Sequence, residues 1–142
     1  MILLRHAESV FNKFGTLTRD CQLSSDGREQ AQALTGDYDL VVCSKLLRAK
    51  QTLEFSRIMY KDLLYTHLCR EIRDGNIINL LDNELEEKET KEQLQDRIIR
   101  FKELLRQLSV IYPRILVVSH GCFLHRLTGY SWHNAQQREY EF

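Results

Sequence analysis

Short aliphatic runs alternate with helix-forming segments along this chain, and nothing else in it restricts the fold so tightly. The runs are "ILL" (2–4), "DLVVC" (39–43), "LLYTHL" (63–68) and "RILVVS" (114–119). In "SSDGREQAQAL" (24–34) a serine cap precedes helix formers, with Ala31, Leu34 and the stem of Arg28 on one face. In "KETKEQLQDRIIRFKELLRQL" (88–108) the residues Leu94, Ile98, Phe101, Leu105 and Leu108 form one stripe of a long amphipathic helix. Two more helices are expected, at "KLLRAKQTLEFSRIM" (45–59) and "CFLHRLTGY" (122–130). Strands alternating with helices predict an α/β domain with a largely parallel central sheet. "REYEF" (138–142) alternates and is expected as an edge strand, while "GNIINLLDNELEE" (75–87) is open between a loop and a short helix.

Three of the predicted strands end in polar clusters of one kind. "ILL" runs into Arg5 and His6, "DLVVC" into Ser44 with Arg48 shortly after, and "RILVV" into Ser119, His120 and Gly121. In an open α/β sheet, ligands bind in the crevice beyond the carboxyl ends of the strands. If the three strands are parallel neighbours, two arginines and two histidines meet in one pocket, with Glu71 after "LLYTHL" as a further candidate. Such a group of cations calls for an anion between them. The planar guanidinium suits phosphate oxygens, and each charge-assisted hydrogen bond contributes roughly 1.5–3 kcal/mol. A neutral imidazole can attack phosphorus, and a carboxylic acid can protonate the leaving oxygen.

Composition narrows the partners. The chain has 142 residues, with 20 Lys and Arg against 20 Asp and Glu. Zero net charge offers no general attraction to nucleic acid or to an anionic membrane, so anion recognition must be local. One domain over residues 1–142 fits this length. No apolar run reaches the ~20 residues of a membrane span, and "MILLRHAE" lacks the pattern of a signal peptide. Cys21, Cys43, Cys69 and Cys122 are scattered, which is the pattern of reduced thiols rather than a zinc site. A cytoplasmic protein needing no metal and no organic cofactor is expected, so activity should survive a chelator. Tyr130 and Trp132 offer a contact for an oligomer whose state is not otherwise fixed.

Six segments carry a resemblance to a known family. "LLRHAESVFN" resembles the R-H-G-E-S-x-x-N opening of the histidine phosphatase superfamily, the phosphoglycerate-mutase-like enzymes. "DCQLSSDGREQAQAL", "CSKLLRAKQT", "LCREIRDG", "KETKEQLQDRIIRF" and "ILVVSHGCFLHRL" are similar to its later blocks and occur in the same order. The resemblance implies a three-layer α/β/α fold with a mostly parallel sheet, here without the large lid insertion. It implies His6 as the nucleophile that becomes phosphohistidine and Glu71 as general acid and then base, with Asp74 as the alternative acid. Arg5, Arg48 and His120 would form the phosphate pocket, Asn12 would lie near the phosphate, and Ser44 and Gly121 would shape the backbone there. Ala7 departs from the family's glycine. With φ negative, its methyl should only narrow the pocket floor.

Taken singly, these residues have plainer readings. Arg5 could pair with Glu8 at the surface, His120 could be a core histidine, and Arg48 a solvated helix cation. Cys122 reads as a packed thiol. Together they point to a metal-independent phosphatase hydrolysing phosphomonoesters. The alternatives are a phosphoglycerate-type phosphomutase, a phosphohistidine protein phosphatase, and a phosphate-binding pseudoenzyme acting as an interaction module. The acidic stretch with Asp82, Glu84, Glu86 and Glu87 should repel a phosphoglycerate, which counts against the mutase. A short lid should leave the pocket open to a small phosphorylated substrate or a phosphoprotein, and to water.

Overall fold

The structure, a computed structural model, describes residues 1–85 and 87–142. Glu86 of the acidic stretch lies outside the described residues. In chain order the elements are β1 (Ile2–Arg5), α1 (Val10–Phe14), α2 (Ser25–Gln32), β2 (Thr35–Ser44), α3 (Leu47–Phe55), β3 (Arg57–Thr66), α4 (Lys91–Ile111), β4 (Ile115–Ser119), α5 (Gly121–Thr128) and β5 (Gln137–Glu139). Single 3-10 turns lie at His67–Cys69 and Ile77–Asn79.

The five strands form one sheet in the order β3-β2-β4-β1-β5, parallel except for β5 against β1. Side chains alternate across a strand, so each inner strand feeds two cores. Leu3, Leu40, Val42, Ile115 and Val117 face the layer that includes Leu94, Ile98, Phe101, Leu105, Phe123 and Leu124. Leu4, Val41, Cys43, Leu116 and Val118 face the layer that includes Ala49 and Leu53. This is the three-layer α/β/α arrangement, with the predicted stripe of α4 buried against the sheet.

Several boundaries differ from expectation: β2 spans Thr35–Ser44 rather than 39–43, and β5 spans Gln137–Glu139 rather than 138–142. The helix expected over 45–59 stops at Phe55, where the hydroxyl of Ser56 accepts from Ile58 N and turns the chain into β3. β3 is correspondingly longer than "LLYTHL". Its pairing with β2 runs from Thr35↔Arg57 to Ser44↔Thr66, so backbone hydrogen bonds extend it through residues with little apolar character. As the edge strand it stays largely exposed, so no apolar run marks its first half, residues 57–62. Trp132 is buried in the core instead of offering a surface contact, whereas Tyr130 is exposed. Among the described residues, no helix is long and apolar enough to cross a membrane.

Candidate functional site

β2, β4 and β1 are parallel neighbours, with Arg5 level with Ser119 and Cys43 level with Val118. The three polar strand ends therefore lie side by side. A cavity of about 380 Å³ opens there, lined by Arg5, His6, Asn12, Arg48, Glu71 and Asp74 among others.

His6 is 3% exposed. Its Nδ1 lies 2.6 Å from the carbonyl oxygen of Ala7, an acceptor only, so Nδ1 carries the ring proton. Nε2 is then a bare acceptor, and Arg48 donates to it from Nε at 3.3 Å. Burial, followed by the charge of Arg48, lowers the pKa of His6 well below its ordinary value. The ring is thus kept neutral with its lone pair directed at Arg48.

Arg48 is also 3% exposed, and it reaches the site from the first turn of α3. Its Nη1 donates to the carbonyl of Ile78 at 2.8 Å and its Nη2 to Oδ1 of Asn79 at 2.6 Å. Arg5 donates from Nη1 to the carbonyl of Trp132 at 2.6 Å, and its Nε is buried with no partner among the described residues. Gly121 makes room for it: a β-carbon there would stand 2.9 Å from the Nε of Arg5. Gly121 itself lines the adjoining groove beside Trp132 rather than the cavity.

His120 is fully buried and does not line the cavity. Its ring packs edge-on against His6 with centroids 5.1 Å apart. Nε2 is 2.8 Å from the hydroxyl of Ser44, which already accepts from Leu46 N. Nδ1 has no partner among the described residues. Burial, then the nearby Arg48 and His6, lower the pKa of His120 well below its ordinary value.

Glu71 is half-buried at the cavity wall. Oε1 accepts from Ile72 N at 2.9 Å and Phe123 N at 2.8 Å, and Oε2 accepts from Cys122 N at 3.2 Å. The carboxyl group therefore seats on the free amides at the start of α5, which fixes its position. Asp74 also lines the cavity, but its Oδ1 accepts from Asn76 N and from Nδ2 of Asn79. Asn12 uses Oδ1 to close the capping box of α1 with Ser9, and its Nδ2 faces no acceptor among the described residues.

Three expectations are revised. The methyl of Ala7 does not narrow the cavity floor: Ala7 has no positive φ and packs with Leu23 and Ala31 in a small separate core. Cys122 is exposed at the cavity wall rather than packed. Glu84 is not a free repelling charge, because Arg70 clasps it with both terminal nitrogens at 2.9 and 2.8 Å. That fork, helped by Arg73, holds the Glu84 carboxyl down at about 2. Arg97 of α4 clasps Glu89 from Nε and Nη2, each at 2.8 Å, so Glu84 and Glu89 are both tied down by arginines. Asn79, Ile78 and the Trp132 carbonyl, which hold the two arginines, carried no signal in the sequence.

A sequence model described as the histidine phosphatase superfamily (branch 1) matches residues 1–141. The 6-phosphofructo-2-kinase/fructose-2,6-bisphosphatase of Caenorhabditis elegans is 26% identical over 90% of this chain, which spans only 33% of that relative's length. Among solved structures, the alpha-ribazole phosphatase of Shigella flexneri superposes with a TM-score of 0.72 at 20% identity, covering 96% of this chain and 87% of the other. A phosphoglycerate mutase from Thermus thermophilus superposes at 0.64 with 22% identity, covering 94% and 85%. These two likenesses show the fold.

Proposed function

This chain belongs to the histidine phosphatase superfamily, and from that premise we propose that it hydrolyses small phosphomonoesters through a phosphohistidine on Nε2 of His6. The observation that carries the reading is the tautomer of His6. With Nδ1–H committed to the Ala7 carbonyl and the ring uncharged, Nε2 has a lone pair available inside the cavity.

Arg5 and Arg48 take the phosphoryl oxygens. Ser44 donates a hydrogen bond from its hydroxyl to Nε2 of the neutral His120, which places the ring proton on Nδ1 beside His6. The lone pair of His6 Nε2 forms the N–P bond as the bond from phosphorus to the ester oxygen breaks. Glu71, protonated in this step, gives its proton to the departing oxygen. Glu71 then takes a proton from water as the water oxygen bonds to phosphorus, the N–P bond breaks, and inorganic phosphate leaves.

Hydrolysis is favoured over mutase chemistry by the cavity's charges. Among the described residues its lining contains no cation beyond Arg5 and Arg48, with His6 neutral, so the carboxylate of a phosphoglycerate finds no counter-charge there. The decisive experiment uses His6→Ala. The parent should release phosphate from an aryl phosphate with chelator present and trap acid-labile label on quenching. His6→Ala should do neither, and turnover that persists in it would overturn the reading.

A further inference from the structure

Among the described residues, four buried or half-buried arginines fall into two groups by what their forks touch. Arg70 and Arg97 each close both prongs on a carboxylate, Glu84 and Glu89. Arg5 and Arg48, at the cavity, touch only neutral acceptors: the Trp132 carbonyl for one, and the Ile78 carbonyl, Asn79 Oδ1 and His6 Nε2 for the other. Among the described residues no ion pair includes Arg5 or Arg48. A guanidinium bonded to a carboxylate is neutralised as well as positioned, and one bonded to an amide oxygen is positioned only.

Asn79 has the geometry for the second task. It is 3% exposed. Its Nδ2 donates to the Ile72 carbonyl at 3.3 Å and to Asp74 Oδ1 at 3.2 Å, while its backbone carbonyl accepts from Arg70 at 2.6 Å. Those partners fix the amide's orientation. Flipping it would set NH₂ against the donors of Arg48 and an oxygen against two acceptors. The oxygen therefore points at Arg48 because Asp74 and Ile72 claim the nitrogen.

We propose that Asn79 is the positioning residue that aims Arg48 without pairing it to a carboxylate, so that its fork stays available to the phosphoryl group. The proposal rests on the reading of Arg48 as a phosphoryl ligand and adds the device that keeps it competent. Asp74 takes part as the acceptor that orients Asn79, at one remove from the guanidinium.

The test exchanges a carboxylate and an amide between these two bonded side chains. In the double variant Asp74→Asn, Asn79→Asp, net charge and the bond between the two side chains are kept, the donor to the Ile72 carbonyl is lost, and a carboxylate now faces Arg48. Inorganic phosphate is the probe, measured by calorimetry and as a competitive inhibitor, alongside thermal unfolding. The double variant should bind phosphate at least about tenfold more weakly than the parent, whose net charge it shares, as follows from losing one charge-assisted contact of roughly 1.5–3 kcal/mol. A purely structural role would lower the thermal midpoint while the folded protein bound phosphate as the parent does, and an affinity equal to the parent's overturns the proposal. Should the double variant not fold, Asn79→Ala replaces it: the same tenfold loss against the parent is expected, and unchanged affinity overturns the proposal. If the parent itself binds no phosphate, the phosphatase reading falls, and this one with it. If the parent binds and the variants bind as well, only the role of Asn79 falls.

Discussion

Arg48 donates its Nε–H to Nε2 of His6 at 3.3 Å, occupying the one lone pair that the neutral imidazole has left. The contact holds the imidazole in register without protonating it, since the guanidinium does not give up its proton. A phosphoryl group entering the cavity competes for the same donor. As its oxygens take over the Arg48 fork, the lone pair of His6 is released toward phosphorus. On the proposed phosphatase reading, binding the anion and freeing the nucleophile would then both run through Arg48.

The first prediction concerns pH and activity. Burial and Arg48 hold His6 neutral well below its ordinary pKa of 6.5. The acid limb of kcat/KM for a phosphomonoester should therefore fall clearly below pH 6.5, as a property of the coupled His6, His120 and carboxyl groups. A limb centred at 6.5 or above, seen in a pH–rate profile with a non-ionising leaving group, would contradict it.

Stability has the same origin and a definite sign. His6 and His120 both have depressed folded-state pKa values, so the unfolded chain binds protons first as pH falls through 6.5. Their contribution is fully present above that pH and is lost below it. Urea midpoints should drop between pH 8 and pH 5.5, and the drop should be smaller in His6→Asn. An equal drop in both proteins would mean that His6 does not contribute.

Glu71→Gln tests the acid. The amide cannot give a proton to the leaving oxygen, so alkyl phosphates should lose about 10²–10⁴ in kcat. Aryl phosphates, whose phenolate leaves unassisted, should lose much less in the first step, read as the rate of the phenol burst. Equal losses for both classes would move the acid to Asp74.

Legibility in the sequence followed the range of the interaction involved. Arg5, His6, Ser119 and His120 could be placed because each directly follows an aliphatic run, and a parallel sheet carries all such ends to one edge. The stripe from Leu94 to Leu108 fixed α4 because local periodicity and burial agree. Asn79 could not be placed: its amide matters only through Arg48, 31 residues earlier in the chain, and through burial that no pattern marks. The Trp132 carbonyl that holds Arg5 is a backbone group, identical in every residue. β3 was misjudged for a related reason, since its length comes from pairing with β2 and not from its own side chains.

Gly27 sits in α2 against the backbone of Glu8. A β-carbon there would fall 1.9 Å from the Glu8 carbonyl oxygen, which already accepts from Ser24 N. The obstacle is main chain and cannot rotate aside. Gly27→Ala should destabilise by about 1–3 kcal/mol, despite the ~1 kcal/mol by which alanine favours a helix. A thermal midpoint equal to or above the parent's would show that α2 can shift freely from the His6 loop.

Gly121→Ala separates the two demands on that position. The φ of Gly121 is not positive, and it opens α5, so alanine suits the backbone and the helix by propensity. The new β-carbon would nonetheless approach the Arg5 Nε to 2.9 Å and its Cζ to 3.0 Å. Arg5 is tied to the Trp132 carbonyl on its other side, so its guanidinium has to leave its present seat. Thermal stability should hold within about 1 kcal/mol, while phosphate affinity falls about tenfold or more through one displaced charge-assisted contact. If calorimetry finds phosphate bound as tightly as in the parent, Arg5 is not gripping the anion from the position it occupies here.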